Sequence, residues 1–143
     1  MENNILLEEK DDEEKSNLIA FFISSIGAII ITSAIIHTSY TQILPLTQLT
    51  IGLILIVPAA FIGLLNEDLK ESMLAMFLAI VGTILLTSFT RILPTLLGVF
   101  PSQGDVFAFQ QIGETLAFFF LMVPFFIIGT IIGVILNEFV LKY

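Results

Sequence analysis

The chain has 143 residues, of which 57% are hydrophobic and 13% charged, with a mean hydropathy of +1.03. A water-soluble domain of this size has too much surface to hide that much apolar side chain, so the composition calls for a bilayer as solvent. The net charge of −8 argues against nucleic acid and anionic headgroups as partners. The absence of cysteine excludes disulfides, thiolate metal sites and cysteine nucleophiles.

Residues 1–15 form an acidic tail. Seven of the thirteen acids fall in the first fourteen residues: Glu2, Glu8, Glu9, Asp11, Asp12, Glu13 and Glu14. This composition predicts a disordered segment or a short surface helix. An acidic start is also the wrong charge for a signal peptide, so the first apolar stretch reads as a retained helix.

Four apolar stretches follow, at about 18–36, 46–65, 73–89 and 112–136. A helix needs about 20 apolar residues to cross a hydrocarbon core of roughly 30 Å. Continuous apolar runs without alternation exclude strands. The fold expected is therefore an all-α integral membrane protein with four transmembrane helices. Lys10, Lys15, Lys70 and Lys142 share one side of a four-span chain, and Arg91 alone falls on the other. Positive residues mark the cytoplasm, which places both termini there.

The chain also repeats itself. Residues 18–33 align with 73–88 at a constant offset, pairing Ala20 with Ala75 and Gly27 with Gly82. TQILP at 41–45 recurs as TRILP at 90–94, and LLNE at 64–67 as ILNE at 135–138. Gln48, Pro58 and Gly63 align with Glu114, Pro124 and Gly129. The reading is two tandem hairpins in the same orientation, 16–67 and 68–143, related by a pseudo-twofold axis along the membrane normal. The second copy carries extra chain around PSQGD, expected as an interfacial segment over 92–109 on the outer face.

Small residues recur every fourth position: Ala20, Ser24, Ala28 and Thr32, then Ala75, Ala79, Thr83 and Thr87. Gly129 and Gly133 form a GxxxG pattern. Both patterns let helix backbones approach closely, inside one chain or between chains. Pro58 and Pro124 interrupt apolar stretches and free the carbonyls of Ile54 and Phe120, predicting kinks. Arg91 and Glu114 are the charged residues near the spans on the outer side. With Gln42, Gln48, Gln110 and Gln111 they outline a polar mouth, and Arg91 is placed to pair with Glu114. His37, beside Thr38, Ser39 and Tyr40, reads as interfacial.

No phosphate loop, metal motif, nucleophile elbow or acid/base pair at catalytic spacing is present, and no cofactor is implied. The expectation is a non-catalytic accessory or scaffold subunit of a membrane complex, with the bilayer and other membrane subunits or further copies of itself as partners. The alternative is a small oligomeric channel or transporter with its path between protomers.

Overall fold

The computed structural model describes residues 2–40, 47–66, 68–99 and 104–141, with side chains over 14–39, 47–66, 68–99, 106 and 108–139. Four α-helices follow one another: α1 Glu2–Tyr40, α2 Gln48–Leu65, α3 Leu69–Leu96 and α4 Gly104–Leu136, the last continuing into a π-helical turn, Asn137–Leu141. All four are long and apolar enough to cross a membrane.

The acidic tail is neither disordered nor a separate element. It is the first part of α1, which runs without a break from Glu2 into the apolar stretch. Only Glu2 of its acids stands in the first turn, where the backbone dipole favours negative charge; Glu8, Glu9, Glu13 and Glu14 fit the helix through glutamate's own good helix propensity. Asp11 also precedes Lys15 by four residues, a spacing that supports helix. The third helix is 28 residues long, so it is not short as its apolar core alone suggests. It passes through Pro94 and stops at Gly98, whose φ of 75° is a left-handed conformation that glycine adopts without steric cost. There Val99 N–H donates to the Pro94 carbonyl and Gly98 N–H to the Thr95 carbonyl, each at 3.0 Å. This double bond pattern is a Schellman stop. The 92–109 segment is therefore divided between the end of α3 and the start of α4, with 100–103 outside the described residues. At the start of α2, Thr47 Oγ1 accepts from Thr50 N–H, satisfying one of the donors a helix start leaves open.

Packing follows from which faces carry small side chains. α2 has its most extensive interface with α4; α1 packs on α2 and α3, and α4 on α3. α2 touches α3 lightly, and α1 does not meet α4 among the described residues. Going round the bundle, the order is α1, α2, α4, α3. A two-fold axis parallel to the helices would seat α1 diagonally opposite α3 and α2 opposite α4. Here those pairs are neighbours, an order that differs from the one a two-fold axis gives. Close glycine seams explain the choice, because they reward the α2–α4 pair directly.

At that seam, a Cβ on Gly63 would strike the Thr130 carbonyl, and one on Gly133 the Ala60 carbonyl. A Cβ on Gly129 would lie 2.6 Å from Ala59 Cβ and the Ile56 carbonyl. The GxxxG pair is thus spent on α2 of the same chain, and the matching of successive positions makes α2 and α4 parallel. Ser24, Ala28 and Thr32 of α1 and Ala75, Ala79, Thr83 and Thr87 of α3 are buried as well, with Ala20 half-buried. Larger apolar residues complete the interior: Ile51, Leu55 and Ile62 from α2, and Met122 and Phe126 from α4.

The outside is the reverse of a soluble protein. Leu, Ile, Val and Phe side chains project from every helix, among them Ile30, Val57, Phe77, Leu85, Phe120 and Ile135. The buried set includes Ser24, Ser25, Thr32, Ser72, Thr83, Thr87, Thr115 and Thr130. Single exposed apolar residues mean little, but a continuous apolar mantle over a hydroxyl-rich interior suits lipid surroundings.

Candidate functional site

The polar bonds that join different helices lie at the two ends of the bundle. At one end, the last turns of α3 meet the first half of α4. Arg91 Nη2 donates to Glu114 Oε2 at 3.0 Å, an ion pair as well as a hydrogen bond. Arg91 Nη1 reaches Thr115 Oγ1 at 3.1 Å. Gln110 Nε2 donates to Glu114 Oε1 at 3.0 Å, one helical turn away, and Thr115 Oγ1 donates to the Gln111 carbonyl. The two charged partners are unequally covered. The Arg91 side chain is 12% exposed and that of Glu114 45%. The charge that faces outward at this end is therefore the carboxylate.

Beside Glu114 an open groove of about 450 Å³ is lined by Gln48, Glu114, Ala117, Phe118 and Leu121. It lies between the start of α2 and α4. The cause is local: Gly52 lies against the Phe125 ring, where a Cβ would sit 2.6 Å away, so α2, which begins at Gln48, starts about level with Leu121, and the stretch of α4 from Glu114 to Phe120 has no turn of α2 beside it.

Of the residues expected to form the outer mouth, Arg91, Glu114, Gln110 and the Gln111 carbonyl come together, and Gln48 lines the same groove as Glu114, about two helical turns away by the register of the α2–α4 seam. Gln42 lies outside the described residues. Thr115 was not foreseen. A buried threonine one position after Glu114 carries no sequence signal until the Arg91 fork is seen to span both. Pro58 and Pro124 both sit inside unbroken helices, Pro58 buried and Pro124 exposed. They do not converge on a common site. His37 is exposed at the far end of α1.

The opposite end is built from amides. Asn66, the C-cap of α2, is buried and donates through Nδ2 to Ser24 Oγ of α1 at 3.0 Å and to the Ile62 carbonyl at 2.8 Å. Its Oδ1 has no partner among the described residues. Asn137, where α4 turns π-helical, donates to the Leu64 carbonyl at 2.8 Å and the Asn66 carbonyl at 3.3 Å. The two asparagines are the matching positions of LLNE and ILNE. Their recurrence was visible, but their role in tying α1, α2 and α4 together was not, because it depends on which helices become neighbours.

No group of three or more His, Asp or Glu residues placed to hold a metal occurs among the described residues. No family model, curated protein or solved structure matches the chain.

Proposed function

We propose that the chain is a multi-pass membrane protein with both termini cytoplasmic, serving as a non-catalytic accessory or scaffold subunit of a membrane assembly. The observation that carries this reading is the closed interior. α2 and α4 meet backbone to backbone at Gly63, Gly129 and Gly133, and polar groups at both ends bond one another across helices. A bundle without a passage along its main seam works through its outer faces. The two copies of a hairpin, laid side by side, give it a broad apolar exterior for neighbouring membrane helices.

The test is the mass and composition of the native particle after mild solubilisation. Co-purification of unrelated membrane subunits, with no solute flux when the pure chain is reconstituted, is the expected result. Cytoplasmic termini predict that Glu2→Cys is labelled from one side of sealed vesicles and Ser102→Cys only from the other.

A second reading, an oligomeric channel with its path between protomers, draws on the outward exposure of Glu114 in the groove. It requires a homo-oligomer whose flux is lost in Glu114→Gln or Arg91→Ala.

A further inference from the structure

The side of α1 that turns away from Ser24, Ala28 and Thr32 carries a pattern of its own. Ala20, Ile23, Gly27, Ile30 and Ala34 follow one another at alternating steps of three and four residues. That spacing keeps one seam of a helix against a neighbouring helix. Ile23 and Ile30 are exposed, as is Ala34, and Ala20 and Gly27 are half-buried. Gly27 is the notch in the seam: a Cβ there would meet nothing within 4 Å. Its counterpart in the repeated sequence, Gly82, is filled, because a Cβ there would strike the Ile29 side chain of α1. Glycine inside a helix is less favourable than alanine, and in a membrane the loss is offset where another helix comes close. For Gly82 that helix is α1. Among the described residues nothing plays the part for Gly27.

Charge selects which helix fits. α1 runs unbroken from Glu2, so the same steps continue from Ala20 down to Ser16, Glu13 and Glu9. A helix that lies on the seam and continues out of the membrane runs beside those positions, in a stretch with seven acids and two lysines. Charges beside a helix seam set partner choice. Copies of the chain in one membrane run parallel, so a second α1 would set Glu13 against Glu13 and Glu9 against Glu9, and like charges repel. The other helices of a second copy bring no basic run to that side: Lys70 stands between Asp68 and Glu71, and Lys142 is single.

We infer that this seam docks a transmembrane helix of a different subunit, one that sets a bulky aliphatic side chain on Gly27 and continues past the membrane, on the tail side, as a lysine- or arginine-rich helix. The inference rests on the accessory-subunit reading and names the kind of partner that reading implies.

The experiment reconstitutes the full chain in phosphatidylcholine liposomes with single-span leucine peptides whose tail-side flank is either lysines or serines. The sequence has no cysteine, so Lys142→Cys carries a donor dye cleanly, and energy transfer to dye on the peptide reports association. The lysine-flanked peptide should bind about ten-fold more tightly, the combined worth of a few exposed ion pairs. In roughly 1 M salt that preference should vanish. Gly27→Leu fills the notch without disturbing the bundle, since the space over it is open, and should lose both peptides. Equal binding of the two peptides, or undiminished binding by Gly27→Leu, would overturn the assignment. Transfer between copies of the chain that disappears in Gly27→Leu would overturn it in favour of a second copy. The native particle separates this site from the reading beneath it. Unrelated subunits that stay attached to Gly27→Leu would overturn the seam and keep the accessory reading, whereas their absence from the wild-type particle would overturn that reading itself.

Discussion

The two ends of the bundle solve the same problem with opposite chemistry. Each must join helices through polar side chains in apolar surroundings. The Arg91–Glu114 end uses full charges, leaves the carboxylate 45% exposed and spreads its bonds over neighbouring turns of two helices. The Asn66–Asn137 end uses neutral amides, buries them and spans three helices. The difference follows from the cost of burial. An ion pair removed from water must recover a desolvation penalty that an amide largely avoids. The carboxylate is placed where it stays exposed, and the amides where the bundle buries them.

This contrast breaks or survives under substitution. Gly133→Leu should have the largest effect, because the added side chain meets the backbone of Ala60 and Gly63, and backbone cannot step aside. A loss above about 3 kcal/mol is expected, read as failure to recover folded protein from detergent or as unfolding in mixed micelles. Asn66→Asp should come next, at roughly 3 kcal/mol. It buries a carboxylate and sets an oxygen against the Ile62 carbonyl in place of a donor. If Asn66→Asp is tolerated as well as Glu114→Gln, the amide end is open to water and the contrast fails. Asn137→Ala should cost about 1 kcal/mol, the scale of one interhelical hydrogen bond in membranes. Smallest is the coupling of Arg91 and Glu114 in a double-mutant cycle, expected at about 1 kcal/mol because the carboxylate partner is exposed. It should shrink further with added salt, whereas the effect of Asn137→Ala should not change.

Much of the architecture could be read before any coordinates. Apolar length located four helices, the pairing of Arg91 with Glu114 followed from both lying near the facing ends of consecutive apolar stretches, and four-residue spacing marked stripes that are buried. What was illegible has a common cause. Ring order depends on which small faces meet. The Gly63, Gly129 and Gly133 contacts are between α2 and α4, which are separated by a whole helix in sequence, and repeat logic alone favoured a rotation. The Asn137–Leu64 bond, which joins α4 to α2, inherits that dependence; the Asn66–Ser24 and Arg91–Thr115 bonds join consecutive helices and depend instead on how each hairpin is rotated. The extent of α1 and α3 was missed for a local reason. A strongly charged tail and an internal proline both argue against helix on average, yet glutamate's helix propensity carries the tail and the Gly98 stop ends α3 only after Pro94.

The unbroken run of α1 has a mechanical consequence. Thirty-nine residues make a rod about 58 Å long, nearly twice the hydrocarbon thickness, so the acidic stretch is a stiff lever without a joint. The acidic stretch and the Ser24–Asn66 tie stand on one continuous helix. Inserting one alanine near Asn17 would rotate everything upstream by about 100°, and a partner that reads the lever's orientation would lose its grip while the four-helix body stayed whole.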